Sequence, residues 1–211
     1  MMMAMPTRSS PTWLSYCDTI GDRSALFQAI AQQWDIESAL YVGSYLDLAP
    51  STAFASVTYV DIDRRAAAFF ANEVLVSSQL QGKTAPGAGE RVEFLHADHT
   101  SPLPLPDSSV DLLISLYTVP AWASCQQYVK PGGLLLSNAS HGEASLAALN
   151  PNLRLEAVID EDAGGYQINH QDVDDYLIPK NAEQADVDFI QAHGKGIRYT
   201  KEAFAYMFSR A

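Results

Sequence analysis

Short apolar runs alternating with amphipathic helical segments predict an α/β sandwich around a mostly parallel sheet. Three observations carry this. The run Ala39 to Val42 breaks at Gly43, where a buried parallel strand would end. A second run, Val57 to Val60, ends on Asp61 and Asp63 and leads into Arg64, Arg65 and an alanine-rich stretch. A third, Val110 to Leu116, is nearly continuous in apolar residues, as a strand buried on both faces requires. Strand, glycine turn, short crossover and acid-ended second strand form half of a nucleotide-binding unit. Asp61 lies eighteen residues beyond Gly43, close to the roughly 20 expected of a carboxylate that accepts from both hydroxyls of a ribose.

In chain order, residues 1 to about 20, with Pro6 and Pro11, read as a loose arm. Asp22 or Ser24 would cap a helix to Trp34 with Leu26, Phe27, Ile30, Ala31 and Trp34 on one face. This helix would cover the cofactor cleft or only pad the sheet. Pro50 suits the first turn of a short crossover helix. Asp63 would cap a helix whose Ala66, Phe69, Phe70 and Val74 share a stripe. Gln81 to Glu90 reads as a surface loop.

A third strand, Arg91 to Leu95, precedes Ala97-Asp98-His99, and the proline-spaced Ser101 to Pro106 must run extended. After the fourth strand come a helical stretch, Pro120 to Tyr128, and a Lys130-Pro131-Gly132-Gly133 turn. Then follow a fifth strand from Leu134 to Ser137, a helix from Glu143 to Leu149, and a sixth strand from Leu153 to Ile159. Ala203 to Ser209 would be the last strand. Residues 160–196 are acidic and glycine-containing, with one amphipathic piece at Val173 to Ile178, and suit a lid insertion. The expectation is one domain over residues 1–211, with residues 1–35 as N-terminal arm and helix.

Composition bounds the function. A length of 211 residues with 47% hydrophobic content is enough for a sizeable core. The net charge of −12, with no basic run longer than Arg64-Arg65, argues against nucleic acid or an anionic membrane as partner. Cys17 and Cys125 suit idle thiols in a reducing compartment rather than a zinc site or a disulfide framework. No apolar run reaches membrane-spanning length and the methionine-rich start lacks a signal peptide's core, so the expected location is cytoplasmic. No metal is expected, since Asp172, Asp174 and Asp175 lack a matching ligand set.

The order of these signals resembles the class I S-adenosylmethionine-dependent methyltransferases from about residue 25 onward. YVDID (Tyr59 to Asp63), the run from Ala97 through LPLPDSSVDLLIS to Ser115, and YVKPGGLLLSN carry the likeness. The resemblance implies a Rossmann-like three-layer sandwich: a seven-stranded sheet, six strands parallel and the last antiparallel. It implies S-adenosyl-L-methionine as cofactor, lying across the carboxyl ends of strands one to four. Asp61 then corresponds to the ribose-binding acid, Ile62 to the residue against adenine, Asp98 to the acceptor of the adenine amino hydrogen, and Ser115 to the strand end beside the methionine part. Asp61 has the alternative of capping the next helix, for which Asp63 is better placed. His99, beside Asp98, would touch the adenine edge.

One motif departs from the family. Of the usual three glycines after strand one only Gly43 remains, followed by Ser44 and Tyr45. Ser44 would donate to the methionine carboxylate. Tyr45 would either lay its ring beside the sulfonium, a cation–π contact, or pack on the sheet end.

Methyl transfer needs an in-line nucleophile and, where that group carries a proton, a base. Candidates follow strands four and five: Tyr117, Asn138 and His141, with Tyr176 supplied from residues 160–196. His141 is the natural base, with an unperturbed pKa of about 6.5, or a loop histidine capping the helix from Glu143. Asn138 would bond the methionine ammonium or a substrate amine, or stabilise its turn. The leading expectation is a methyltransferase for a small molecule, with a homodimer left open. A second is the same fold cyclising S-adenosylmethionine to azetidine-2-carboxylate with release of methylthioadenosine. A third is a non-catalytic binding protein, and a distant fourth a nicotinamide dehydrogenase, which lacks its Gly-x-Gly-x-x-Gly.

Overall fold

The computed structural model describes residues 11–163 and 165–211. Fifteen helices and strands, with 3-10 turns between them, follow in the order α1 (Trp13–Ile20), α2 (Ser24–Ala31), β1 (Ser38–Val42), β2 (Ser56–Asp61), α3 (Arg64–Phe70), α4 (Glu73–Leu80), β3 (Arg91–His96), β4 (Val110–Ser115), α5 (Trp122–Cys125), β5 (Val129–Ser137), α6 (Glu143–Leu149), β6 (Leu153–Asp162), β7 (Gly165–Asn169), α7 (Val187–His193) and β8 (Ala205–Arg210).

The strands form one sheet in the order β3-β2-β1-β4-β5-β8-β6-β7. β3, β2, β1, β4 and β5 pair in parallel, and β8 enters antiparallel between β5 and β6. β6 therefore runs with the parallel set. This is the expected Rossmann-like sheet with one addition. The seven strands expected become eight, because residues 165–169 fold back on β6 as an antiparallel hairpin strand. The short runs Tyr166 and Ile168 hide that strand among polar neighbours, but their period of two matches a half-covered edge.

Strand side chains divide two cores. On β1, Ala39 and Tyr41 join the core under α1 to α4, while Leu40 and Val42 join the core under α5 and α6. The central strands are covered on both sides, which explains their unbroken apolar runs. Leu26, Phe27 and Ile30 of α2 are completely buried as their spacing predicts, each contributing about 1.5–3 kcal/mol through apolar burial.

Two local readings are corrected. Residues 13–20 are a helix rather than part of a loose arm: Thr12 and Ser15 form a reciprocal capping box and Trp13 is fully buried. Residues 1–10 lie outside the described residues. The helix after Asp63 also breaks at Ala71, and Asn72 caps a second one by accepting from the Leu75 N–H. That restart rotates Val74 off the expected stripe, leaving it 82% exposed. The crossover after β1 is a single 3-10 turn, Ala49–Thr52, with Pro50 in its first turn.

Candidate active site

The chain leaves β1 toward one core, through Ala49, and leaves the adjacent β4 toward the other, through Ala121 and Trp122. This divergence is the topological switch point where open α/β sheets keep their ligands. Gly43, Ser44, Asp61, Asp98, Ser115, Tyr117 and Asn138 all lie at or just past the carboxyl ends of β1 to β5.

Asp61 ends β2 and holds the glycine loop. Its carboxylate accepts the Tyr45 N–H at 2.7 Å and the Asp63 N–H at 2.8 Å. Each oxygen keeps a second lone pair for a further donor, and Asp61 remains partly exposed. Helix capping falls to Asp63, which accepts from the Arg65 N–H and guanidinium and is thereby drawn down to a pKa of about 2. Ile62 is 69% exposed beside Asp61, an apolar shelf at the sheet edge.

Asp98 is exposed and turned on itself, accepting from the Thr100 N–H and hydroxyl, which lower its pKa. His99 is buried at 7% exposure. Burial lowers its pKa, against the pull of Asp98 and Asp61 nearby. Among the described residues, His99 Nε2 and the Ser44 hydroxyl are buried without a hydrogen-bond partner.

The glycine loop explains itself locally. Gly43 has φ +64° and gives its N–H to the Val60 carbonyl at 2.8 Å. A Cβ there would collide with the side chain of Thr118, which sits against the glycine. Tyr45 is left-handed as well, at φ 46°, with its ring edge-on to Tyr16 at 5.0 Å and under the Arg65 guanidinium at 5.1 Å.

Past β4 and β5 the polar atoms are largely committed. The Ser115 hydroxyl donates to Glu143 at 2.9 Å. Asn138 Oδ1 accepts from the Tyr117 N–H at 3.3 Å and from the Ser140 hydroxyl at 2.8 Å. The amide NH2 is what Asn138 has left to offer, so it is suited to an acceptor group rather than to an ammonium. Tyr117 is left-handed, at φ 57°, and 48% exposed, with Arg23 stacked on its ring at 4.7 Å. His141 Nδ1 lies 3.0 Å from the Ser140 hydroxyl. Tyr176 is placed elsewhere: buried, its hydroxyl 3.5 Å from Asp160 and its ring beneath Lys201 at 4.1 Å.

Three participants escaped the sequence reading. Arg23 and Asp47 form a buried ion pair at 3.4 Å, and Asp47 also accepts from the Tyr41 hydroxyl at 3.3 Å and the Ala49 N–H at 3.0 Å. Burial raises the Asp47 carboxyl, and Arg23 opposes that rise. The available signal was a lone acid inside Leu46-Asp47-Leu48-Ala49, which has to find a cation if it folds inward. Glu143 is the third. It opens α6, 2% exposed, and accepts from Ser115 and from the Ala121 and Trp122 N–H groups, so it ties the end of β4 to α5. Burial raises its pKa, and these donors hold the rise in check. Both thiols are held at about 11 by burial, as suits idle cysteines.

Among the described residues no group of three metal-ligating side chains comes together, and no helix is long and apolar enough to cross a membrane.

A methyltransferase-domain family model matches residues 39–137, from β1 to the end of β5. The matched residues carry the whole switch point, with Gly43, Asp61, Asp98 and Tyr117 among them. The residues at the carboxyl ends of β1 to β3 suit the adenosine half of the S-adenosylmethionine that the sequence resemblance implies. Asp61 and Ile62 form an acid-and-shelf pair, and the orphaned Ser44 hydroxyl and His99 Nε2 are polar atoms awaiting partners.

Among solved structures, the chain is similar to an S-adenosylmethionine-dependent methyltransferase from Methanococcus maripaludis, at 14% identity over 72% of this chain and 77% of that one, with a TM-score of 0.44. An O-methyltransferase from Klebsiella pneumoniae gives 14%, 69%, 76% and 0.46. The [4+2]-cyclase SpnF gives 20% over 63% of this chain, at 0.42, and this chain spans 48% of its length. At these values nothing about activity carries over. No curated protein matches the chain.

Proposed function

We propose that this protein is an S-adenosylmethionine-dependent transferase that methylates a small molecule. The observation that carries the reading is Asp61 at the end of β2, partly open and anchored by two backbone N–H groups beside the exposed Ile62. Asp61 would accept from the ribose hydroxyls, Ile62 would lie along the adenine, and Asp98 and His99 would line its edge. Gly43, Ser44, Tyr45 and Ser115 would border the methionine half.

Bound cofactor supplies an electrophilic methyl group on a sulfonium. The protein's task is to orient the acceptor and take its proton. His141 is the base: Ser140 occupies Nδ1, and Nε2 would receive the proton. Asn138 would donate its NH2 to an acceptor oxygen, and Tyr117 would wall the transfer site. Tyr176 braces the 160–196 segment against β6 and acts from outside the site. The acidic net charge supports a small molecule over a nucleic acid, and no metal is called for.

A second reading is favoured by paired phenols beside Asp61: the Tyr16 ring lies edge-on to Tyr45 at 5.0 Å, and the Tyr45 N–H is held by Asp61. Such rings would suit cyclisation of S-adenosylmethionine itself. Incubation of the protein with S-adenosylmethionine alone, followed by mass spectrometry, separates the two. The methyl-transfer reading expects no methylthioadenosine above the buffer control, and enzyme-dependent release would replace it with the cyclisation reading.

A further inference from the structure

A cavity of about 540 Å³ opens between α5, α6 and α7, on the side of the sheet away from α1 to α4. Leu146, Leu149, Val187 and Ile190 give it an apolar body, while Trp122 and His141, with Glu143, Asn150 and Gln191, are its polar lining residues. Trp122 is 4% exposed, and its indole N–H is buried without a partner among the described residues. An unpaired buried donor is destabilising unless something accepts from it. A cavity of this size, mostly apolar with a few polar groups, is the ordinary form of a small-molecule site.

Its position ties it to the switch point. Pro120 lines the cavity, and Thr118, two residues earlier, packs on Gly43. The stretch from Thr118 to Pro120 therefore runs from the glycine loop to the cavity wall. Glu143 fixes that stretch's far end by accepting the Ala121 and Trp122 N–H groups.

We propose that this cavity is the acceptor site. It takes a flat, largely apolar molecule that carries a hydrogen-bond acceptor for the Trp122 indole N–H and presents its nucleophile at His141. This rests on the transferase reading above. It adds the acceptor's chemical class and the residue that selects it: Trp122 determines specificity, and His141 takes the proton.

The test uses the full chain and the fluorescent naphthalene ketone Prodan, with the same dimethylaminonaphthalene lacking the ketone as control. Prodan should bind with a blue-shifted emission. Ala123 lines the cavity from an exposed position on α5, so Ala123→Trp should fill the space without disturbing the core and weaken both probes at least tenfold. Trp122→Phe should weaken Prodan about fivefold, the worth of one neutral hydrogen bond, and leave the ketone-free probe unchanged. Saturating S-adenosylhomocysteine should shift Prodan affinity at least twofold through the stretch from Thr118 to Pro120. No Prodan binding, or binding indifferent to Ala123→Trp, overturns the cavity as a site. Equal loss of both probes in Trp122→Phe overturns the role of the indole, and absence of coupling overturns the acceptor assignment. S-Adenosylhomocysteine titrated alone keeps the two readings apart: bound cofactor without probe binding sinks only the cavity, while bound probe without cofactor binding sinks the transferase and leaves a pocket that is no acceptor site.

Discussion

The Thr118 side chain occupies the space that a Cβ on Gly43 would need, so the loop after β4 rests directly on the one glycine kept after β1. Gly43 is also left-handed, at φ +64°. Gly43→Ala should therefore destabilise the fold by at least about 1–2 kcal/mol, from the conformation alone. A urea midpoint lowered at constant slope would show it. Thr118→Ala, which uncovers the glycine, should tighten S-adenosylhomocysteine binding severalfold in a calorimetric titration.

Arg23 and Asp47 clamp the loop between β1 and the 3-10 turn from within the core, their side chains 10% and 2% exposed. Breaking such a pair leaves a buried charge, at a cost of about 3 kcal/mol or more. Asp47→Ala should show that loss in urea unfolding. Combining Arg23→Met with Asp47→Leu should cost much less than the sum of the two single changes, since neither charge is then stranded. Additive losses would mean that the pair is not coupled.

Burial lowers the His99 pKa below the ordinary value near 6.5. The folded state then binds fewer protons than the unfolded chain as pH drops. The stability linked to His99 is whole above pH 6.5 and is lost as pH falls through 6.5 toward the folded-state value. His99→Asn should flatten that part of the stability profile between pH 7 and 5, read as the difference from wild type in thermal midpoints at matched ionic strength.

Much of the fold was legible because central strands advertise themselves. Val57 to Val60 and Val110 to Leu116 are buried on both faces and read as unbroken apolar runs, and Pro50 and Asp63 mark helix starts by their own chemistry. What stayed hidden depends on contacts distant in sequence. Trp13 gives little sign in the chain that its short helix is buried, and Asn72 breaks a helix that periodicity alone would continue past Val74. In the site, Asp61 and Asp98 stood out by position after strands. Arg23, Thr118 and Glu143 did not, because their roles come from partners 24 to 75 residues away: Asp47, Gly43 and Ser115.

Calorimetric titration with S-adenosylhomocysteine, wild type beside Asp61→Ala, tests the central claim most directly. Measurable heat with saturable binding is expected for wild type. Asp61→Ala should weaken it by about 1.5–3 kcal/mol, the worth of charge-assisted hydrogen bonds to the ribose. No heat at millimolar ligand, or equal affinity for both proteins, would contradict the account.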